Sequence, residues 1–391
     1  MRRVLTGVIA AGVLVALTAC GGIEPEDGDA TLHVALAGAS GCGYANVHVT
    51  VDSVQVHESP LATENSLGWR ALEPAAPSRI DLMALDNGEL VDLGSTSLPA
   101  ARYRKLRLVL APNTAQHPLR NSVTTAGQGE TALEMPAAQQ SGLVLSIDRD
   151  LSADETLRLA LDFDACASLV ARGPGGGFLL KPVLRILPWP EGEGSSVAGR
   201  LANALADGTR VSLQQAGRIV RSTAPDAEGR FLLSPVPVGT HDLVIVARDR
   251  ASTVLAEVPV AAETRTRIVA DDQPVDLVPS AMRTVSGRIG LAGIGAIPQA
   301  QASALQTVGT RLVEVESRPV DAFDGGYALR LPVAPPMFAK YDASASRPTL
   351  APDMGQAGRY GIEASVPGRP AQTREADIRT SDAVVNFEFL P

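Results

Sequence analysis

The sequence predicts an all-β chain, built as tandem β-sandwiches behind a cleaved lipoprotein signal peptide. Three observations carry that expectation. Short runs of alternating apolar and polar residues recur along the chain, separated by Gly, Pro and Asp clusters. The second half holds an internal repeat, in which Val197-Ala198-Gly199-Arg200-Leu201 returns as Val285-Ser286-Gly287-Arg288-Ile289. The chain opens with Arg2 and Arg3, an apolar run from Val4 to Leu17, and Leu17-Thr18-Ala19-Cys20 in the order of a lipobox.

The apolar run is shorter than the roughly 20 residues a membrane-spanning helix needs. Cleavage before Cys20 makes that cysteine the lipid attachment site, so the membrane is the first expected partner. Each buried methylene contributes about 0.8 kcal/mol, and a diacylglyceryl group with a further acyl chain anchors durably. The signal peptide then covers 1–19, and a Gly-, Glu-, Asp- and Pro-rich tether covers 20–30. Gly21, rather than Asp, follows the cysteine. By resemblance to enterobacterial sorting, this favours the outer membrane, so the expected location is the cell envelope.

A chain of 391 residues is too long for one ordinary domain. It carries 43 acidic and 34 basic residues, a formal charge of −9, and loses two arginines with the leader. That balance argues against nucleic acid and anionic lipid surfaces as partners. With Cys20 lipidated, Cys42 and Cys166 remain. In an oxidising compartment they suggest one disulfide, worth roughly 4–5 kcal/mol in the chain-entropy model. Two unpaired buried thiols are the alternative. Gly41-Cys42-Gly43 could pass for an exposed nucleophile, but the sequence sets no His or acid beside it.

The first unit is expected over 31–190. Thr31 to Ala37 alternates, with Leu32, Val34 and Leu36 on one face. Val47, Val49 and Val51 share the next face. Val54 and Val56 take the opposite parity, which calls for a bulge or a crossing between sheets near Asp52. Trp69 to Leu72, Ile80 to Leu85, Tyr103 to Leu110, Leu143 to Ile147, Leu157 to Phe163 and Phe178 to Leu187 read as further short elements. Asn113 to Ala126 reads as a long loop or hairpin. Pro182 marks an edge or bulge. A linker follows at 191–196, stiffened by Pro188 and Pro190 before it. The repeat divides the remainder into 197–282 and 283–391. Each half has an opening strand, an acidic-Gly turn (Asp226 to Gly229, Asp324 to Gly326), an aromatic strand and a closing alternating strand.

Several motifs in the first unit, in order, resemble a known family. They are Ser40-Gly41-Cys42-Gly43-Tyr44, Leu98-Pro99-Ala100, Gln139-Gln140-Ser141-Gly142, Leu161-Asp162-Phe163-Asp164-Ala165-Cys166 and Leu179-Leu180-Lys181-Pro182-Val183. Over about 30–190 they resemble the bacterial lipoprotein family catalogued as domain of unknown function 4382. The resemblance implies an all-β extracytoplasmic domain and strengthens the Cys42–Cys166 pairing, since both cysteines fall in its motifs. The two later units resemble the carboxypeptidase regulatory-like module, a transthyretin-like sandwich. The second copy departs from that pattern through an insertion at Pro335 to Met354. This resemblance implies a non-catalytic role in support or contact.

No nucleophile elbow, zinc-helix motif, phosphate loop or dinucleotide fingerprint is present. No catalytic, cofactor or metal residues are therefore expected. His48 and His57 differ in parity and lack a third ligand. Asp148 and Asp150, and Asp162 and Asp164, could hold Ca²⁺ but read better as turn or strand-end residues. Trp69, Trp189, Tyr103 and Tyr360 are the few aromatic platforms a sugar could stack on, and each also suits core or linker packing. The expected function is a lipid-anchored envelope protein with a non-catalytic binding or structural role, whose partner is a glycan or an envelope protein. The alternatives are a carbohydrate-binding surface lipoprotein and an envelope hydrolase using scattered carboxylates.

Overall fold

The computed structural model describes residues 28–39, 43–72, 78–125, 127, 129–135, 142–173, 176–189, 194–202, 208–270, 273–293, 295–297 and 299–390. The expected signal peptide over 1–19, Cys20 and Cys42 lie outside these residues. The described chain is nearly all β and forms several sandwiches. None of its helices is long and apolar enough to cross a membrane.

The first sandwich contains β1 (Asp29–Ala39), β2 (Tyr44–His57), β3 (Arg70–Leu72), β4 (Ser78–Asp81), β5 (Val91–Pro99), β6 (Ala101–Leu110), β7 (Ser122–Thr125), β8 (Glu130–Glu134), β9 (Leu143–Leu151), β10 (Thr156–Asp164), β11 (Leu169–Ala171), β12 (Phe178–Leu180) and β13 (Leu184–Pro188). One sheet runs β13-β10-β1-β5. The other runs β11-β12-β8-β7-β2-β6-β9, with β3 and β4 also on β2. Leu32, Val34 and Leu36 share a core with Val47, Val49, Val51, Val54 and Val56. The parity change in β2 is a bulge, because its register against β6 shifts between Val51 and Ser53.

Three local readings are sharpened. Within the loop or hairpin expected over Asn113 to Ala126, Ser122 to Thr125 is a strand, held beside β2 and β8. Buried Asn121 fixes its start, accepting the Thr50 N–H at 3.0 Å and donating to the Ala111 carbonyl at 2.7 Å. Asp148 and Asp150 are strand-end residues, at the C-terminal end of β9, and Arg102 on the neighbouring β6 pairs with both. Phe178 to Leu187 is two strands in different sheets, and the break between them falls at Lys181-Pro182-Val183. Proline cannot donate to a ladder, so the chain changes sheet there.

The second sandwich contains β14 (Ser196–Arg200), β15 (Thr209–Gln215), β16 (Arg218–Thr223), β17 (Arg230–Leu233), β18 (Gly239–Ala247), β19 (Thr253–Val260) and β20 (Arg265–Arg267). The remainder contributes β21 (Met282–Leu291), β22 (Gly295–Ala296), β23 (Gln301–Val308), β24 (Arg311–Pro319), β25 (Gly326–Pro332), β26 (Met337–Lys340), β27 (Ala351–Pro352), β28 (Arg359–Ser365), β29 (Gln372–Asp377), β30 (Ala383–Val384) and β31 (Phe387–Phe389). The sequence repeat is a repeat of topology. β14 pairs antiparallel with β17 and parallel with β20; β21 pairs antiparallel with β25 and parallel with β30 and β31. The facing sheets run β16-β15-β18-β19 and β24-β23-β28-β29.

Both repeats place a glycine opposite an aromatic ring, Gly199 against Phe231 and Gly287 against Tyr327. A Cβ on Gly287 would stand 1.7 Å from the Val385 carbonyl oxygen, and one on Gly199 would stand 2.6 Å from the Phe231 ring. The Tyr327 hydroxyl donates to that same Val385 carbonyl at 2.6 Å, and burial pushes its pKa up to about 12. In the second turn Asp321 takes the backbone place of Asp226, while Asp324 accepts the Gly326 N–H at 2.8 Å. The Asp226 and Asp321 carbonyls accept from Gly229 and Gly325 at 2.9 Å, and those glycine carbonyls accept from Leu201 and Ile289.

The insertion at Pro335 to Met354 leaves the third sandwich and joins the second. β26 adds to β19 in parallel and β27 adds to β26, extending the second unit's sheet to six strands. Ala339 enters the second core, with Tyr341 and Leu350 packed against it.

Gly287→Ala should lower the free energy of unfolding by more than about 3 kcal/mol, because backbone meets the new methyl. Gly129→Ala, with nothing within 4 Å of its added Cβ, should change stability by less than about 0.5 kcal/mol. Urea titrations of the two variants read the difference.

Candidate functional site

The most unusual chemistry in the described chain is a set of charges buried where the first and second sandwiches meet. It begins with the alternation of β10. Leu159, Leu161 and Phe163 point into the first core, so Ala160 and Asp162 point out of it. Yet Asp162 is 0% exposed, because strand β16 of the second sandwich lies over it. Arg221 on β16 is 1% exposed. Its Nη1 donates to Asp162 Oδ1 and, at 3.0 Å, to the Gly38 carbonyl on β1. Its Nε donates to the Ser234 carbonyl at 3.3 Å.

A second guanidinium completes the set. Arg185 sits directly across from Asp162 in the β10/β13 register. It donates from Nε to Asp162 Oδ2 and from Nη2 to Asp164 Oδ2, each at 3.1 Å. Burial works against the Arg185 charge, but Asp162 and Asp164 outweigh it and raise its pKa. Asp164 also caps the one-turn helix Ala165–Ser168, accepting from the Ala167 N–H at 3.0 Å. Asp162 therefore has both oxygens occupied by guanidinium donors.

A turn beside this set docks the same two units. Asn87, at φ 54°, donates its N–H to Thr223 Oγ1 at 2.9 Å and accepts the Leu232 N–H on Oδ1 at 3.0 Å. Burial pushes the neighbouring Asp86 up to about 6, against a backbone hydrogen bond from Ala224 and the nearby Arg221 charge. The other junctions combine ion pairs, such as Arg218 with Glu363 at 3.1 Å, with hydrogen bonds to backbone groups. Gln214 and Glu314 exchange two hydrogen bonds of 2.8 Å between the second and third units. Between the first and third, Asp321 Oδ2 accepts the Gly173 N–H at 2.7 Å, and Ala322 N–H bonds the Ala171 carbonyl at 3.0 Å.

The expected site residues are dispersed among other tasks. Cys166 is disulfide-bonded, while Cys42 and Cys20 fall outside the described residues. His48 and His57 stand nine residues apart on one strand, roughly 30 Å at about 3.3 Å per residue. His48 lies 3.7 Å from Glu130, and His57 ties the loop after it through Ser59 and Leu67. No three His, Cys, Asp or Glu side chains among the described residues are grouped to hold a metal. Tyr103 and Tyr360 are both 1% exposed, too buried to stack on a ligand. Trp69 is covered by Arg107, 4.6 Å from its ring, and by His57 at 5.2 Å. Trp189 packs on His33 at 4.6 Å but also lines a cleft of about 420 Å³ with Arg158, Pro235, Pro237 and Val238. Asp162 and Asp164 were reachable from the sequence only as an acidic pair; nothing local signals the partner at Arg221.

Residues 29–182 match the model of the Domain of unknown function (DUF4382). No curated protein matches the chain. Among solved structures, the Bacillus anthracis TIE protein is 10% identical, with 93% of this chain and 50% of that chain covered and a TM-score of 0.19. The present chain thus spans half its length. The Corynebacterium diphtheriae major pilin SpaA is 11% identical, with 93% and 100% covered and a TM-score of 0.19. BcpA, the major pilin subunit of Bacillus cereus, is 10% identical, with 92% and 99% covered and a TM-score of 0.15. None superposes well enough to carry a fold or a function across. Residues 29–182 thus form a DUF4382 domain, followed by further β-sandwiches.

Proposed function

We propose that this is a lipid-anchored protein of the cell envelope, attached through Cys20, with a non-catalytic structural or binding role. The observation that carries the reading is the buried Asp162–Arg221 contact between successive sandwiches. A charge pair sealed between two units fixes their relative placement, because any sliding that breaks the contact while it stays buried leaves both ions without a partner. That suits a stiff spacer held off a membrane. The acidic pairs that a hydrolase would draw on are already engaged: Asp148 and Asp150 by Arg102, Asp162 and Asp164 by Arg185. The shared strand order of the second and third sandwiches supports reading them as two regulatory-like modules. The lipobox order and Gly21 support the outer membrane. A Cys42–Cys166 bridge fits the bonded state of Cys166. The glycan-binding reading is favoured by the Trp189 cleft, and Trp189→Ala should then weaken glycan-array signals that the wild type gives with uncharged glycans.

Labelled palmitate should enter the wild-type chain in a bacterial host and not Cys20→Ser; equal labelling removes the anchor. Arg221→Ala leaves Asp162 with Arg185 alone and should cost about 3 kcal/mol. Calorimetry should then resolve two transitions where the wild type gives one, and small-angle scattering should show a larger radius of gyration. A single unshifted transition would contradict the spacer reading.

Asp86 adds a pH dependence. A carboxyl whose pKa is raised on folding holds its proton more tightly folded than unfolded. Its stabilisation is complete below about pH 4 and is lost as the pH rises to about 6. Between pH 4 and 7 the wild type should lose roughly 1 kcal/mol relative to Asp86→Asn, after allowance for solvent screening. Urea midpoints of the two proteins across that range read the difference.

A further inference from the structure

A cleft of about 350 Å³ lies where all three sandwiches converge, and its charge runs against that of the chain. The whole protein carries 43 acids and 34 bases. The cleft wall offers Arg210 and Arg248 from the second unit and Arg318 and Arg330 from the third, with Glu316 as the acid among its lining residues. Tyr44 of the first unit closes the remaining side. Burial pushes the Tyr44 hydroxyl pKa up while the Arg318 charge pulls it down, so the phenol and the guanidinium share one local field.

These arginines are only loosely committed. Arg248 has no hydrogen-bond or ion-pair partner among the described residues. Arg210 donates from Nη2 to the Val315 carbonyl at 2.9 Å, but its Nε is buried with no partner. Arg318 pairs with the half-buried Glu316 at 2.8 Å and Arg330 with Asp249 at 3.1 Å, both through exposed guanidinium groups. Exposed pairs contribute about 0–1 kcal/mol and are readily exchanged for a better acceptor. Planar guanidinium forks match carboxylate and phosphate oxygens. Glu316 and the Tyr44 hydroxyl lie in the same lining and offer polar partners to sugar hydroxyls beside such a group.

We propose that this cleft binds an acidic glycan through its anionic group, a carboxylate or a phosphate. This goes beyond the reading above, concerns a cleft separate from that of Trp189, and is independent of the lipid anchor. Because the wall draws on all three units, the site exists only in the assembled chain, and bound ligand would hold the units together.

Calorimetric titration of the full chain in detergent micelles tests this, with oligogalacturonate as the carboxylate probe and a phosphorylated oligomannose as the phosphate probe. Saturable binding of at least one is expected, weakening as NaCl is raised. The arm that binds more tightly identifies the anionic group. Arg248→Ala should weaken it about tenfold, as expected for loss of one charge-assisted contact, without moving the thermal midpoint. Arg347→Ala, an exposed arginine outside the cleft that pairs with Asp276 at 3.0 Å, should bind like the wild type. Failure of both probes at millimolar concentration would overturn the proposal, as would wild-type affinity in Arg248→Ala. Either result would leave the palmitate and Arg221 outcomes standing.

Discussion

A carboxylate with no access to water must be answered by its neighbours, and Asp162 is answered from two directions. Arg185 reaches it along the sheet, and Arg221 reaches it from the next sandwich. Removing a partner from such an ion costs more than the pair contributes relative to an apolar contact. The arrangement therefore secures geometry more than net stability. Arg221 must lie over β1 and β10, and strand β16 must follow it. The Asn87 turn, the cover over Ala160 and the approach of the second unit to the first are consistent with that one placement.

The same logic of filling space exactly once recurs inside the repeats. An aromatic ring lies beside a glycine in each central pair, and the missing side chain is the room the ring occupies. This explains why the repeat keeps glycine at 199 and 287 while its neighbours vary between Ala198 and Ser286. Glycine weakens a strand on its own, and the cross-strand ring restores the lost packing.

Much of this architecture was legible in the sequence. Strand periodicity located most of the first sandwich, the change of parity in β2 marked a bulge, and the five-residue repeat marked two units of like topology. What escaped was non-local. Ser122 to Thr125 is largely polar, and its start is pinned by Asn121, which bonds Thr50, 71 positions away. The Asp226 equivalent was misplaced at Asp324, because the third unit's turn is one residue longer and the acid moves to Asp321. The junction was hidden for the same reason. Asp162 and Arg221 are 59 residues apart, and neither has a pattern around it that names the other. The arginine cleft gathers residues from three units, which no window of sequence contains.

The parallel addition of β26 to β19 has a consequence for the order of events at synthesis. A chain emerges N-terminus first, and domains generally fold in that order. The second sandwich has its seven strands by residue 267, but its sheet keeps a bare edge at β19 until residues 337–340 arrive. For the intervening stretch that edge is an open template of unpaired backbone groups. The third unit thus acts on its predecessor as a late-arriving cover. A chain interrupted between the two would be left with an adhesive sheet rather than a shorter version of the finished protein.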